Sequence, residues 1–377
     1  MKILLFTDTL CDTNGVSRFL QDLGTHCPAF HLVTATRKSC NLPFKNWTNL
    51  PVRLRLAMPF YPQLDLSFPS YAHAKTLFET FDPDLVHVST PGPVGLLGRA
   101  LARKYHKPLA GVYHTDFPSY VHNNLPLWGL KRLTQMSMRW FYKPFSLLFA
   151  RSQSEIPKLQ PLLHKTLTLF KAGVDTQVFT PLALPKEARL TLLYVGRISP
   201  EKNIGFLWEV WEILQNLLGP QAVQLWCVGE CTHPLLRTQG EALGVHFLGK
   251  QPKEALPALY AKAHLFVFPS LTETLGQVVL ESLSCGTPVV VSDQGGPRTI
   301  LASTTRPCGL ILSTRFSSTW AHAIKSLLLN EPRLSAMAEA ARAENYDIKT
   351  SVEDFLAVHV RMRKEEAEPE GSTKEEG

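Results

Sequence analysis

The sequence predicts an α/β protein with two Rossmann-like domains in series, and three observations predict it. A chain of 377 residues exceeds the size at which one hydrophobic core usually keeps growing. Short apolar runs rich in Val, Leu and Phe recur in two series, separated by longer helix-like segments, which is the rhythm of buried parallel strands with helical crossovers. Between the series, residues 175–189 read DTQVFTPLALPKEAR, with Pro181 and Pro185 and no sustained periodicity, and suit a connection between domains.

The first run, residues 3–6 in MKILLFTDTL, is broken at Asp8. It lacks the longer apolar core of a secretory signal and reads as a first buried strand. Strands follow at 31–33, 85–88, 109–113 and 147–150, and a second series at 190–195, 223–228, 245–248, 265–268, 288–291 and 310–312. After Ser313 the pattern turns helical over 321–329 and 333–344, and again from 351 to about 363. The expected organisation is an N-terminal Rossmann-like domain over 1–180, a C-terminal one over 181–345, and a helix over 346–362 packing back on the first domain. A disordered tail is expected over 363–377, because the charge-mixed end RMRKEEAEPEGSTKEEG can bury nothing.

Composition narrows the function. At 45% hydrophobic and 19% charged the chain is ordinary soluble protein, and no stretch approaches the roughly 18 apolar residues of a membrane span, so a cytoplasmic location is expected. The net charge of +7 admits nucleic acid, an anionic membrane or a phosphate-bearing substrate. The cations form no Arg-rich arm or nucleic-acid motif, so no nucleic-acid partner is expected. Asp12-Thr13-Asn14-Gly15 after the first strand is not Gly-x-Gly-x-x-Gly, which argues against a Rossmann oxidoreductase. The seven cysteines show no zinc-type pair spacing and are read as reduced, mostly buried thiols, with no metal site.

In open parallel sheets ligands bind beyond the carboxyl ends of the strands. After the run 265–268, Glu273 lies in a loop and Gly276 opens a helix that contains Glu281. Free N–H groups at a helix start suit a phosphate, and carboxylates accept hydrogen bonds from sugar hydroxyls. After the run 190–195, GRISPEKN places Arg197 and Lys202 in a turn, a planar fork and a point charge for phosphate oxygens. Asn14-Gly15-Val16 begins a helix after the first strand, where glycine permits close backbone approach to a diphosphate or an acceptor, and His114-Thr115-Asp116 ends the run 109–113. Any one of these side chains is more often a solvated charge, a cap or a structural histidine; their gathering at strand ends is what points to a ligand.

GRISPEKN, the Glu-x7-Glu of TETLGQVVLE and SCGTPVVVSDQGG resemble retaining glycosyltransferase family 4, as do FTDTLCDTNGVSRFL, VHVSTPGPVGLLGRALA, GVYHTDFPSYV and AGVDTQVFTP. The likeness covers about residues 1–360, and the motifs resemble the sulfolipid-synthase-like and α-mannosyltransferase-like branch. It implies the GT-B fold, two Rossmann-like domains facing a central cleft with the acceptor on 1–180 and the donor on 181–345, and transfer of a hexose from a UDP- or GDP-sugar without a resident cofactor or metal. On this resemblance Arg197 and Lys202 neutralise the donor diphosphate, Glu281 binds the nucleotide ribose, and Glu273 holds sugar hydroxyls. Gly15, Leu275 and Gly276 complete the donor loops. His114 contacts the donor sugar, and Asp116 helps to position it or the acceptor. The chain departs from the family at Arg298, where an acidic residue is usual, and has Asn14 before a single Gly15 where many members have two glycines.

A basic aromatic segment, with Lys131, Arg132, Arg139 and Lys143 beside Trp140, Phe141 and Tyr142, suits an anionic lipid surface; packing of those rings into a core is the competing reading. With the family's habit of glycosylating lipids, it makes a lipid-linked acceptor and a peripheral membrane contact the expectation. A soluble sugar or glycan acceptor, or a sugar-nucleotide-binding protein without catalysis, are the alternatives.

Overall fold

The computed structural model describes residues 1–12, 14–57, 65–114, 128–153, 155–271 and 273–367. The chain divides into two compact units, Met1–Lys171 with Lys349–Gly377, and Ala172–Ile348. The division precedes residue 180 because the backbone after 171 is tied to the second unit. Val174 N donates to Tyr346 O at 2.7 Å, and Ser284 Oγ donates to Phe179 O at 2.6 Å.

The first unit contains β1 (Ile3–Phe6), β2 (Phe30–Thr34), β3 (Trp47–Asn49), β4 (Val52–Ala57), β5 (Asp65–Pro69), β6 (Leu85–Val88), β7 (Leu109–Tyr113), β8 (Leu147–Ala150) and β9 (Thr168–Leu169). Seven of them form a parallel sheet in the order β3-β2-β1-β6-β7-β8-β9, while β4 and β5 make a separate antiparallel hairpin. Every residue of β1, β6 and β7 is buried, which is why these strands read as continuous apolar runs rather than as alternation.

The helix Ile348–Ala367 supplies the first unit with an aromatic ridge. Phe355 meets Phe19, Phe30, Phe149 and Phe170 at ring-centroid distances of 4.7 to 5.9 Å. Beside it His359 Nδ1 lies 2.7 Å from Phe355 O, an acceptor only, so Nδ1 carries the proton and Nε2 is the lone-pair nitrogen. His87 Nδ1 therefore donates to His359 Nε2 at 2.9 Å, leaving His87 Nε2 as a buried acceptor without a hydrogen-bond partner among the described residues. Burial disfavours the charged imidazole in both rings and lowers His359 to about 4.

Two expectations are corrected here. The last helix runs to Ala367, past the start of the expected tail at 363, because RKEEA consists of good helix formers; residues 368–377 lie outside the described residues. Cys11 and Cys40 form a disulfide, while Cys27, Cys227, Cys231, Cys285 and Cys308 are free. The bonded cysteines follow β1 and β2, parallel neighbours whose carboxyl ends emerge side by side, a proximity that sequence spacing does not reveal.

The second unit holds β10 (Leu190–Val195), β11 (Val223–Val228), β12 (His246–Gly249), β13 (Leu265–Phe268), β14 (Val289–Ser292) and β15 (Gly309–Leu312). They form one parallel sheet in the order β12-β11-β10-β13-β14-β15. The helices Ile204–Leu218 and Ser317–Leu328 pack together through Phe206 and the fully buried Trp320. Each sheet starts in its interior, winds outward to one side and then to the other. The direction reverses between β1 and β6 in the first sheet and between β10 and β13 in the second. Two doubly wound Rossmann-like sheets of this kind are the predicted GT-B class, and a reversal point is where such sheets hold ligands.

Candidate active site

At the reversal point of the second sheet, the chain leaving β10 turns sharply. Gly196 takes φ +152°, and a 3-10 turn over Pro200–Lys202 ends at Asn203 in the left-handed region with φ +59°. Asn203 Nδ2 donates to Pro269 O, just beyond β13, at 3.3 Å. This strap links the two strand ends and brings Lys202 Nζ into an ion pair with Glu273 Oε1. Arg197 pairs with Glu201 at 3.2 Å, and Tyr194 Oη holds the Arg197 carbonyl at 2.7 Å. All four charged side chains keep part of their surface open.

The loop that carries Glu273 rests on the next one. Gly296 N donates to Glu273 O at 2.8 Å. A Cβ on Gly295, at φ +69°, would lie 2.4 Å from Glu273 O, and one on Gly296 would lie 2.3 Å from Leu275 Cα. The two glycines after Asp293 are thus needed for backbone to lie on backbone. Leu275 and Gly276 are buried in this contact, with Gly276 at φ +84° before the helix Gln277–Ser284. Arg298 lies exposed on the helix Gly295–Ala302.

Glu281, one turn into its helix, has no exposed surface, and Tyr260 Oη donates to its Oε2 at 3.2 Å. The structure therefore joins Lys202 to Glu273 and sets Arg197, Leu275 and Gly276 around them, while Glu281 lies beneath the surface. Sequence reasoning missed Gly229, where a Cβ would stand 2.0 Å from Gly196 O. Its signal was a glycine directly after the apolar run of β11.

In the first unit, His114 is the residue after β7. It is buried, and its Nε2 shares a 2.8 Å hydrogen bond with Ser89 Oγ. Burial, helped by the charge of Arg151, pushes its imidazole well below the ordinary range, so it is neutral. Gly15 is the exposed first residue of the helix Gly15–His26, whose cap is Asn14 accepting from Ser17 N at 2.9 Å. Asp116 lies outside the described residues.

Asp8, which the sequence marked only as the end of an apolar run, occupies the first sheet's reversal point. Its carboxylate accepts from Thr90 Oγ1 at 2.6 Å and from Val94 N at 2.8 Å, at the start of the helix Pro93–Lys104. The chain's own carboxylate thus fills the anion position at that helix start.

The helix Trp128–Tyr142 corrects the expected aromatic face at two of its three rings. Phe141 and Tyr142 belong to the core, together with Phe145. Leu133, Met136 and Trp140, spaced to share one helix face, are 61%, 59% and 55% exposed, and Arg132, Arg139 and Lys143 are exposed as well. Among the described residues no group of His, Cys, Asp and Glu could hold a metal ion, and no helix is long and apolar enough to cross a membrane.

Two family profiles together account for most of this chain. "Glycosyltransferase Family 4" matches residues 13–178, and "Glycosyl transferases group 1" matches residues 181–344. The chain belongs to glycosyltransferase family 4. Relatives of this family 4 chain include the sulfoquinovosyl transferase of Arabidopsis thaliana, 26% identical over 82% of the chain and 61% of that protein. A GDP-mannose-dependent alpha-mannosyltransferase of Mycobacterium tuberculosis is 29% identical over 67% and 66% of the respective lengths. The alpha-monoglucosyldiacylglycerol synthase of Streptococcus pneumoniae is 26% identical over 77% and 70%. The match spans less than two thirds of the first two relatives. Among solved structures, sucrose-phosphate synthase from Thermosynechococcus elongatus shares the fold with a TM-score of 0.77 at 18% identity, covering 96% of this chain and 99% of that one. An Anabaena protein, HepE, in complex with UDP-glucose follows at 0.72 and 18%, covering 96% and 100%.

Proposed function

We propose that this family 4 chain is a retaining hexosyltransferase that moves a sugar from a UDP- or GDP-hexose to an acceptor presented at a membrane. The observation that carries the donor reading is the Lys202–Glu273 pair at the reversal point of the second sheet, with Arg197 on the same strap. The relatives agree, since one is a GDP-mannose-dependent transferase and a similar fold was solved with UDP-glucose.

In the reaction, the acceptor oxygen forms a bond to the anomeric carbon on the face from which the phosphate departs. The bond from that carbon to the phosphate oxygen breaks, and the acceptor's proton passes to the departing phosphate. The products are a glycoside of retained configuration and a nucleoside diphosphate. Negative charge grows on the diphosphate as the bond breaks, so cations fixed beside it lower the barrier. Arg197 and Lys202 supply them, and no metal is required. In the free chain both are held by carboxylates, so the donor takes Lys202 from Glu273 and leaves that carboxylate to accept hydrogen bonds from sugar hydroxyls. Glu281 is assigned to the ribose, His114 to the sugar as a neutral hydrogen-bonding group, and Gly15 to the first unit's contribution.

The acceptor reading rests on the exposed face of Leu133, Met136 and Trp140 with its flanking Arg132, Arg139 and Lys143, which suits an anionic bilayer surface. One relative's name contains diacylglycerol, in keeping with a lipid acceptor. The test is transfer of labelled hexose from UDP-glucose and GDP-mannose to vesicle lipid. Arg197→Ala and Lys202→Ala each lower turnover by on the order of a hundredfold, the scale of losing one transition-state donor, while EDTA leaves the wild type active. Near wild-type turnover in both variants, or EDTA inhibition reversed by a divalent ion, refutes the mechanism.

A further inference from the structure

Arg151 is the residue after β8, and His114 is the residue after β7. The two strands pair with Ala150 opposite Tyr113, so Arg151 and His114 leave adjacent strand ends at the same carboxyl edge. Arg151 is only 5% exposed. Its guanidinium lies 4.8 Å from the centroid of Phe19 and 5.3 Å from that of Phe170, and His114 packs on the same Phe19 ring at 5.9 Å. Arg151 Nη1 is buried with no hydrogen-bond partner among the described residues.

A guanidinium stripped of water and braced by two rings gains something from their faces, but ring faces do not satisfy N–H donors. The imbalance is visible in the group itself: burial lowers its pKa to about 10, although the charge of Glu155 works to raise it. Arginine presents a planar fork that matches the paired oxygens of phosphate, sulfonate or carboxylate, and a desolvated fork binds such an anion more strongly than a surface one. His114 adds a second polar group at the same edge and is hydrogen-bonded to Ser89.

We propose that Arg151, with His114 beside it, forms an anion-binding subsite of the first unit, and that the acceptor carries a phosphate-like group that it recognises. This rests on the reading of the first unit as the acceptor side. It does not depend on the assignment to the donor of Arg197, Lys202, Glu273 and Glu281, which lie in the second unit, and it places His114 between the donor sugar and the anion.

The experiment uses full-length protein saturated with UDP, so that Arg197 and Lys202 are already occupied. Inorganic phosphate, glycerol phosphate and a short-chain phosphatidic acid are titrated separately by calorimetry into wild type and Arg151→Met, which keeps apolar contact with both rings. Wild type binds at least one of the three, and Arg151→Met binds it at least tenfold more weakly while its UDP affinity is unchanged. Preference for glycerol phosphate or phosphatidic acid tells a free acceptor from a lipid headgroup. Should Arg151→Met fail to fold, NMR of wild-type His114 serves instead: its imidazole titrates at higher pH when the bound anion is present. An anion response equal in the two proteins, no response of UDP-loaded wild type, or an unmoved His114 would overturn the proposal and leave Arg151 as a brace between Phe19 and Phe170. Loss of UDP binding in wild type would instead count against the donor reading.

Discussion

Glu281 shows how much a single residue's burial changes a functional assignment. Its place in Glu-x7-Glu suggests a nucleotide contact, yet in the free chain its carboxylate is fully buried against Tyr260. Glu273, eight residues earlier, is partly open and paired with Lys202. The two positions should therefore separate in one experiment. Glu281→Gln keeps the volume and weakens both nucleoside diphosphate and nucleotide sugar several-fold, whereas Glu273→Ala leaves diphosphate binding close to wild type and lowers turnover by tenfold or more. A fall in melting temperature with unchanged nucleotide affinity in Glu281→Gln would make that residue a structural buried acid. Lys202 and Glu273 were legible in the sequence because each follows a continuous apolar run at a sheet edge. Asp8 and Arg151 were not, since nothing local says that a helix start needs Asp8 or that two phenylalanines distant in sequence will enclose Arg151.

At the scale of elements, the long buried strands were readable because a strand covered on both faces leaves an unbroken apolar run. The strands β3 and β9 were not, being short and mixed in composition, and the β4–β5 hairpin lacks such a run. The helix Trp128–Tyr142 shows the same limit in another form: its aromatic residues were evident, but which of them face inward depends on the sheet beneath. Its outward face now predicts a specific pattern. Liposomes of anionic lipid at low salt should carry wild type in flotation, and replacing Arg132, Arg139 and Lys143 by Ser should abolish this, as each basic residue near such a surface contributes about 1 kcal/mol. Replacing Phe141 should instead lower the melting temperature. Failure of wild type to float would favour a soluble glycan as acceptor. The stacked loops of the second unit give a second element-scale prediction. Gly296→Ala forces a methyl against the Leu275 backbone and should cost about 1–3 kcal/mol in thermal unfolding, with a parallel loss of UDP binding. An unchanged melting curve would mean that the two loops are not in contact.

For the whole molecule, the last helix couples the end of the chain to its beginning through the His87–His359 pair and the ring of Phe355. Both histidines are held neutral, with His359 lowered to about 4 from its ordinary 6.5. Stability from such a group is fully present above about 6.5 and is lost as pH falls toward 4, because the unfolded chain takes up the proton first. The melting temperature should therefore decline through that window, and His359→Phe should flatten the decline; an equally steep acid limb in the variant would remove His359 from the account. The division of the chain also has a consequence for its birth. The first unit takes Met1–Lys171 and then waits for Lys349 onward, with the whole second unit encoded between. On a ribosome adding roughly 5–20 residues per second, that delay is on the order of ten to thirty seconds. During it Phe19, Phe30, Phe149 and Phe170 have been made but Phe355 has not, so the nascent protein carries an uncovered apolar face for longer than most domains take to fold.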